Sequence, residues 1–407
     1  MKANDTNYIN THSSMLALFL FGVTLSKYNV QVGFSLKPYM FFLFVVLVLH
    51  FTSFYFTRLY GYEVALLVFY FFYSLSGAFS LYQYASIRII LGIVLIILCY
   101  FIMRSLIYRY TRDQIEAAIA YAGIWFNVIS LALYIWGIKR LDFQFNQHEI
   151  SAYGVLVDRG YPRLIGLLDD PNIYIFYNTI FLFYFLCNHR SIKNKCGLVL
   201  SVMTCILTFS RGGLFALILV FIIYVVISKG IRRLQLILQS ICLLIVAYIV
   251  AISMKFDILN MLNQRLEDFQ RDGGSGRFDL WNRGFTYFLQ HPFKGIGAFN
   301  FSEYNLFFYG EKLYAHNTFI EILAESGIFI FCLYLLFLFF LMWELLTSKL
   351  YKEVPYLLLI PIAFFLQMMS LSLVVNEMIF VYLAILCSYM KTTKTKEWVY
   401  GKRVEGS

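Results

Sequence analysis

Long apolar runs dominate this chain, and their length limits the possible folds more than any single motif does. A transmembrane helix needs about 20 apolar residues, because the hydrocarbon core of a bilayer is about 30 Å thick. Only 14% of the residues are charged, whereas a soluble domain averages about 25%. The runs are apolar on all sides instead of alternating, which disfavours a β-barrel. The sequence therefore predicts an all-α polytopic integral membrane protein.

The apolar runs predict about twelve membrane-spanning helices. Their approximate bounds are 14–32, 38–56, 60–80, 84–106, 114–138, 171–188, 196–209, 212–228, 235–254, 317–346, 354–371 and 373–390. The run at 196–209 is short for a full crossing, and the run at 317–346 is long enough for a helix that tilts or projects from the bilayer.

The distribution of lysine and arginine predicts how these spans are oriented. Cytoplasmic loops carry an excess of both residues, and the basic connections of this chain alternate with connections, near 80 and 374, that have almost none. We therefore expect both termini to be cytoplasmic. The net charge of +10 is then a topology signal and does not indicate nucleic-acid binding. The segments 139–170, Ser210-Arg211 and 255–316 fall on the outer face.

This topology divides the chain into four parts. Residues 1–254 are predicted to form a membrane helix bundle of about nine spans, with an outer loop at 139–170. Residues 255–316 form a large extracytoplasmic loop that contains surface helices. Residues 317–390 hold the C-terminal spans, and 391–407 form a basic cytoplasmic tail.

The large outer loop is the longest polar interruption of the chain. Apolar residues at helical spacing predict an amphipathic surface helix over 257–270. The glycines at 273, 274 and 276 break this helix and provide a hinge. A second helix is expected over about Arg277 to Gln290, ending at His291-Pro292. A tight turn is predicted at Gly295-Ile296-Gly297.

Two outer residues have chemistry that points to function. Arg211 lies in a connection with almost no loop, so it is close to the membrane surface, where a charge is costly and usually functional. The glycines after it, Gly212-Gly213, can begin a helix whose N–H groups face an anion. The imidazole of His316 is suited to accept a proton from a hydroxyl near neutral pH. Its structural alternative is a histidine that caps its helix.

Other outer charges have a structural explanation. Arg163, taken alone, is explained by an arginine that reaches lipid headgroups. Arg283, Glu321 and Glu325 are expected to form ion pairs that hold the loop to helix ends. The two glutamates lie about one and two turns beyond Asn317 on the same helix face.

Together these outer motifs resemble those of the O-antigen ligase and polymerase superfamily. They occur in one order: Ser210-Arg211-Gly212-Gly213, Gly276-Arg277 with Trp281, Pro292 with Gly295-x-Gly297, and His316-Asn317 with Glu325-x-Gly327. The stretch with Arg163-Leu-x-Gly166 and Pro171-Asn172 is similar to an earlier outer motif of the family. The resemblance covers roughly 160–330, and the first five spans match only in hydropathy.

The resemblance implies a GT-C-like glycosyltransferase in the bacterial cytoplasmic (inner) membrane, independent of metals and cofactors, with its active site on the extracytoplasmic face. The donor would be an oligosaccharide on undecaprenyl pyrophosphate, the acceptor a glycan, and a chain-length regulator protein is a further candidate partner. Arg211 and Arg277 would bind the donor pyrophosphate, with Arg163 as a weaker candidate, and His316 would be the catalytic base. The supporting residues would be Ser210, Asn317, Glu325, Trp281 and Arg283.

A polymerase that joins lipid-linked repeat units into a surface polysaccharide is the favoured function. One alternative is a ligase that transfers the glycan to lipid A-core or another acceptor. Another is a transporter, such as a flippase for lipid-linked sugar. A carrier would place charges deep within several spans and often contains internal repeats, whereas here the polar groups collect at one face. A structural scaffold would not need Arg211 at the membrane edge.

Overall fold

The fold is a bundle of apolar helices whose connections gather at two opposite ends. The computed structural model describes residues 2–31, 35–54, 58–142, 145, 150–158, 160–238 and 276–404. The helices are α1 (Lys2–Val23), α2 (Pro38–Leu49), α3 (Gly61–Ser76), α4 (Gln83–Ile107), α5 (Arg112–Arg140), α6 (Pro171–Cys187), α7 (Ile192–Leu207), α8 (Arg211–Ile227), α9 (Arg277–Gln290), α10 (Phe301–Tyr309), α11 (Thr318–Thr347), α12 (Leu350–Glu353), α13 (Tyr356–Met368) and α14 (Glu377–Val404). The strands are β1 (Val30–Gln31), β2 (Ser35–Leu36), β3 (Ile150–Ala152), β4 (Val155–Asp158) and β5 (Tyr161–Leu164).

The predicted class, a mostly helical membrane protein, is confirmed. Among the described residues, four helices are long and apolar enough to cross a membrane by length and composition: Gly61–Phe79, Gln83–Ile107, Arg112–Arg140 and Thr318–Thr347. Shorter apolar helices are Ser13–Val23, Pro38–Leu49, Pro171–Cys187, Arg211–Ile227 and Tyr356–Met368. Each predicted span within the described residues contains a helix. The predicted span 235–254 and the predicted surface helix 257–270 lie mostly or wholly outside those residues.

Two of the helices end earlier than the spans predicted for them. Helix α1 ends at Val23, and Thr24 bonds back to the carbonyl of Phe21 through both its N–H and its hydroxyl. The chain then forms the antiparallel pair β1–β2 instead of continuing to residue 32. Helix α2 ends at Leu49 and is followed by a single 3-10 turn, Phe51–Ser53. The residues after α1 are mostly polar, so the predicted span 14–32 extends beyond its apolar run. After α2 the chain still carries Phe51 and Phe54, so hydropathy alone does not detect that end.

Short basic connections meet at one end of the bundle, which we call the basic end. Arg104, near the end of α4, forms an ion pair of 3.0 Å with Glu63 at the start of α3. Arg112, at the start of α5, forms one of 3.5 Å with Glu353 in α12. The contacts show that helix ends separated by many residues in sequence lie side by side, as the alternation of basic loops predicts.

The connections at the other end of the bundle, which we call the site end, carry the predicted functional residues. Lys27 after α1 pairs with Asp169 before α6 at 3.4 Å. Ser86 at the start of α4 donates to the carbonyl of Ala298, 2.7 Å away. The site end contains residues 24–31, 35–37, 77–86, 150–158, 160–172, 208–213, 276–317 and 369–377.

The loop at 139–170, which the sequence predicts to lie on the outer face, contains a small sheet that the all-α prediction omits. Strands β3, β4 and β5 pair antiparallel in sequence order. The β3–β4 connection is the two-residue turn Tyr153-Gly154, with φ of +46° and +99°, and positive φ at both positions is typical of a type I′ hairpin turn. The signal in the sequence is short: three apolar segments separated by Tyr-Gly and Arg-Gly. The sheet positions Arg163 on β5.

Backbone-to-backbone packing at glycines joins the segment before α11, residues 292–297, to α11. The helix is interrupted at Gly327, where φ is +77°, and the turn 292–297 packs against this interruption. The N–H of Gly297 donates to the carbonyl of Glu325 (2.8 Å), and the N–H of Ile328 donates to that of Pro292 (2.9 Å). A Cβ on Gly295 would lie 2.2 Å from the Glu325 carbonyl. The predicted turn is therefore confirmed, and its glycines are required by close approach.

Helix α9 has the bounds that the sequence predicts, Arg277–Gln290. Gly276 begins it with a left-handed φ of +70°, a conformation in which glycine carries no steric cost. The rest of the predicted 273–276 hinge lies outside the described residues. Gly284 faces α11, since a Cβ there would lie 2.5 Å from the Ile320 side chain. Helix α9 is thereby held against the first turns of α11.

Candidate functional site

Five charged or titratable side chains from separate parts of the chain come together at the site end, and we call them the arginine site. They are Arg163, Asp170, Arg211, Arg277 and His316. The electrostatic neighbours of Arg277 are Asp170, Arg163 and Arg211, and those of His316 are Arg277 and Asp170. The structure therefore brings together the four residues that the sequence predicts for pyrophosphate binding and proton transfer.

Helix N-termini surround this cluster. Helix α6 begins directly after Asp170, α8 begins at Arg211, α9 begins at Arg277, and α11 begins two residues after His316. The first N–H groups of a helix lack intrahelical partners, and the helix dipole gives this end a partial positive charge. The partial positive charges of these helix N-termini therefore add to the charges of the guanidinium groups. Together they favour an anionic ligand.

The start of α8 is shaped by Ser210 and two glycines. The Ser210 hydroxyl caps the helix by accepting from the N–H of Gly213 (3.4 Å), and it donates to Oδ1 of Asn172 (2.6 Å). A Cβ on Gly212 would lie 2.8 Å from Oγ of Ser370 and 3.8 Å from Nη1 of Arg277. Gly212 thus allows the helix start to approach Arg277 closely, and Arg211 lies exposed beside it.

The guanidinium of Arg163 is largely used by protein partners. Its Nε donates to the carbonyl of Thr208 (3.1 Å), one Nη to Asp158 (3.0 Å), and the other Nη to Asn172 (3.5 Å). These bonds connect β5 to the starts of α6 and α8. Arg163 therefore holds these segments of the arginine site together and adds positive charge. Most N–H donors of its guanidinium already have protein partners.

Among the arginines that the structure describes, Arg277 has the least favourable electrostatic surroundings. Burial lowers its pKa, and the neighbouring guanidinium groups of Arg163 and Arg211 lower it further, against the opposing effect of Asp170. Two guanidinium groups repel each other at short range. An anion that binds between them would relieve this repulsion, which is the electrostatic condition for a phosphate site.

His316 is held in a left-handed backbone conformation, with φ of +49°. For a residue with a Cβ this conformation costs about 1–2 kcal/mol. Asn317 caps α11 by accepting from the N–H groups of Phe319 and Ile320. The helix cap is therefore Asn317, and not His316 as the structural alternative supposed. Burial and the nearby Arg277 lower the pKa of His316, opposed by Asp170. The imidazole is therefore neutral at neutral pH, the form that accepts a proton.

Asp170 is a member of the site that sequence reasoning did not single out. Its carboxylate caps α6 by accepting from the N–H groups of Asn172 (2.6 Å) and Ile173 (3.0 Å). The Asp-Pro pair indicates only a helix start. That Asp170 also faces Arg277 and His316 depends on the packing of α6 against segments more than 100 residues away.

Trp281 and Arg283, both in α9, have structural partners. The Trp281 Nε1–H donates to the carbonyl of Ala315 (3.1 Å), directly before His316. Arg283 pairs with Glu311 at 3.3 Å and lies 3.8 Å above the ring of Tyr309. The predicted structural role and ion pair of Arg283 are confirmed. Both contacts tie α9 to the segment that leads into His316.

Within the part of the chain that the structure describes, Glu321 and Glu325 do not form the ion pairs predicted for them. Among the described residues, both buried carboxylates are held by hydrogen-bond donors and not by cations. Glu325 accepts from the hydroxyl of Tyr73 and from the N–H of Phe301 (3.0 Å). Glu321 accepts from the hydroxyl of Ser372. A carboxylate can accept several such bonds, so neither group needs a cation.

Comparison with known proteins agrees with this architecture of a multi-pass helical membrane protein. Residues 196–335 match a family model described as O-antigen ligase. This range includes Arg211, Arg277 and His316 but not Arg163. The chain is also 27% identical over 308 residues to the teichuronic acid biosynthesis protein TuaE of Bacillus subtilis (strain 168). This aligned region covers 71% of the present chain and 62% of the relative. The chain thus spans less than two thirds of that relative's length.

Both matches confirm the resemblance of this chain to the O-antigen ligase and polymerase superfamily. The family model begins with α7 and ends within α11, so it contains both the start of α8 and the glycine-mediated contact between the outer loop and α11.

Proposed function

We propose that this protein is a membrane polymerase that joins undecaprenyl-pyrophosphate-linked oligosaccharide repeat units into a surface polysaccharide. The observation that carries the proposal is the convergence of Arg211, Arg277 and His316 among four helix N-termini. Two of these residues supply charge for an anionic leaving group, and the third supplies a base. The family match and the relative named for teichuronic acid biosynthesis support polysaccharide synthesis as the process.

Arg211 and Arg277 bind the pyrophosphate of the donor in this proposal. As the bond between the sugar and the pyrophosphate breaks, negative charge increases on the leaving oxygen. Guanidinium groups that are already in place stabilise this charge without reorganising, and each can make two parallel hydrogen bonds to a phosphate. Their charge would fill the role that a divalent cation has in metal-dependent transferases.

His316 acts as the general base on the acceptor. Its neutral imidazole removes the proton from the acceptor hydroxyl, and that oxygen forms a bond to the anomeric carbon of the donor. The bond from this carbon to the pyrophosphate oxygen breaks, and undecaprenyl pyrophosphate leaves. The imidazolium then releases its proton to solvent. The lowered pKa of His316 supports this role, because it keeps the base unprotonated before the reaction.

The proposed topology places the site end outside the bacterial cytoplasmic membrane. The basic end then faces the cytoplasm, as does each terminus, and the complete chain has about twelve spans in a GT-C-like arrangement. The positions of the lysines and arginines in the short loops support this orientation. The donor and the growing glycan would meet at the arginine site, with the lipid tail in the bilayer.

A ligase is the second candidate, because the family model that matches is described as O-antigen ligase. Both activities use the same donor and the same arginine site, and they differ only in the acceptor hydroxyl. A ligase would transfer the finished glycan to lipid A-core or to another acceptor. The two are separated by supplying each acceptor to the same purified protein.

The test is reconstitution with the lipid-linked repeat unit and comparison of wild type with His316→Ala and Arg211→Ala. The control is His291→Ala, an exposed histidine at the end of α9. We expect glycan extension by wild type and the control, and a loss of extension in both site variants. Extension by His316→Ala at the wild-type rate would contradict the proposed base. Movement of the lipid-linked sugar across the bilayer without extension would identify a transporter.

A further inference from the structure

The backbone N–H of His316 begins a chain of hydrogen bonds that ends on a buried carboxylate. This N–H donates to Oγ of Ser372, 3.0 Å away. An N–H group can only donate, so Oγ is the acceptor and its own hydrogen is available elsewhere. The Ser372 hydroxyl donates it to Oε2 of Glu321. The hydrogen bonds therefore run in the order amide, hydroxyl, carboxylate.

Further contacts fix the same loop against α11. Thr318 donates to the carbonyl of Leu371 (2.6 Å) and accepts from the N–H of Leu373 (2.9 Å). Ser372 lies between these two bonds. The side chain of Glu321 is 2% exposed, so no solvent replaces its partner. These bonds fix the position of Ser372, in the connection between α13 and α14, relative to the backbone of His316.

A second chain of the same construction occurs nearby. The N–H of Phe299 donates to the Tyr73 hydroxyl (3.2 Å), which donates to Glu325. Phe299, like His316, is a non-glycine residue in the left-handed region, with φ of +59°. In both cases the hydrogen bonds hold a backbone conformation that side-chain-bearing residues rarely adopt. One chain holds an aromatic residue of the outer loop, and the other holds the predicted base.

We propose that Ser372 and Glu321 are positioning residues for His316: they hold its backbone in the left-handed conformation that directs the imidazole into the arginine site. This inference rests on the proposed function, since it assigns the pair a purpose in proton transfer. Neither residue needs to contact the substrate. Glu325 and Tyr73 form the matched structural pair, which holds the outer loop and has no role in orienting His316.

The first test measures turnover of the lipid-linked repeat unit by Ser372→Ala, Ser372→Thr and Glu321→Gln. We expect Ser372→Ala to lower kcat about 10- to 100-fold with little change in KM for the donor, because misplacing a catalytic group by about 1 Å has such an effect. Ser372→Thr keeps the hydroxyl and should restore most of the rate. Glu321→Gln should have the smaller effect, since its amide oxygen still accepts. Wild-type kcat in Ser372→Ala would overturn the proposal.

The second test does not depend on the reaction. Diethyl pyrocarbonate modifies neutral imidazoles, and mass spectrometry reports the rate at His316 with exposed His291 as an internal reference. We expect faster modification of His316 in Ser372→Ala, because its backbone is released, and a wild-type rate in the control Tyr73→Phe. Equal rates in wild type and Ser372→Ala would overturn the proposal. If wild-type protein fails to extend glycans, the proposed function fails, while this measurement still decides whether Ser372 positions His316.

Discussion

Arg104 at the basic end and Arg277 at the site end have opposite electrostatic surroundings. Arg104 is almost fully buried, and its partners are the carboxylate of Glu63 (3.0 Å) and the carbonyl of Arg58 (2.7 Å). Arg277 has two other arginines and one aspartate as its electrostatic neighbours. The first guanidinium is neutralised by the protein itself. The second has two neighbouring charges of its own sign and one of the opposite sign.

This contrast indicates that the arginines at the two ends of the bundle have different roles. A buried charge must be compensated, and Glu63 does this at the basic end, joining α3 to α4. At the site end, Arg163, Arg211 and Arg277 lie with Asp170 beside four helix N-termini, a combination of charges that favours a bound anion. We therefore expect arginine at the basic end to contribute to stability, and we propose that arginine at the site end contributes to binding. Variants at the two ends distinguish a role in stability from a role in binding.

The largest expected effect is on stability, from Arg104→Ala. Removing one partner of a buried ion pair leaves Glu63 uncompensated, which typically costs about 3–5 kcal/mol. Unfolding in mixed micelles, followed by SDS titration, should show this loss. The comparison variant is Arg112→Ala, whose partners Glu116 (3.0 Å) and Glu353 (3.5 Å) are both accessible to solvent, and it should cost at most about 1 kcal/mol. Equal losses in the two variants would remove the contrast between buried and exposed pairs.

Arg277→Ala should affect catalysis instead of stability. Removing one preorganised donor to a developing negative charge typically lowers kcat about 10²- to 10³-fold. The protein should unfold at the same SDS concentration as wild type or above it, because a repulsive neighbour of Arg211 is removed. Arg277→Lys keeps the charge but not the paired donors, so its rate should lie between the two. A large loss of stability in Arg277→Ala would place this arginine with Arg104.

The contact that supports the site end is tested by Gly295→Ala. The new Cβ would lie 2.2 Å from the backbone of Glu325, at a φ of +66°, and such strain costs about 1–3 kcal/mol. Gly310→Ala is the matched control, since its φ is +73° but nothing lies within 4 Å of a Cβ there. We expect a larger drop in the unfolding midpoint for Gly295→Ala. A similar drop for both would mean that backbone conformation alone explains the effect.

The smallest expected effect is a displacement of the pH–rate profile. The base must be neutral, so kcat/KM rises through the pKa of His316, which burial and Arg277 lower and Asp170 raises. Asp170→Asn keeps a helix-capping residue but removes the charge, and the acidic limb should move to lower pH. Arg277→Gln should move the limb to higher pH. Displacements in the same direction would contradict the electrostatic assignment.

Sequence alone predicts much of this architecture, for physical reasons that differ between its parts. The spans follow from hydropathy, and α9 follows from an amphipathic pattern with a glycine before it and His-Pro after it. The grouping of Arg211, Arg277 and His316 follows from topology, because alternating helices return three outer segments to the same face. These features depend on local chemistry and on the count of crossings.

The parts that sequence does not predict depend on contacts between distant segments. Glu321 and Ser372 are 51 residues apart, and Tyr73 and Glu325 are 252 apart, so neither hydrogen bond has a local pattern. The sequence predicts ion pairs for both glutamates, as contacts that hold the large loop to helix ends. Hydroxyl and amide donors satisfy them instead. The β3–β5 sheet is missed because its strands have only three or four residues.

The central claim is that the arginines of the site end bind the pyrophosphate of the lipid-linked donor, and binding of undecaprenyl pyrophosphate to the purified protein tests it most directly. We predict that Arg277→Ala and Arg211→Ala each raise the Kd about tenfold or more, in line with hydrogen bonds to charged groups of about 1.5–3 kcal/mol. Arg283→Ala, whose guanidinium is paired with Glu311, should leave the Kd unchanged. Wild-type affinity in Arg277→Ala, or an equal loss in Arg283→Ala, would contradict the claim.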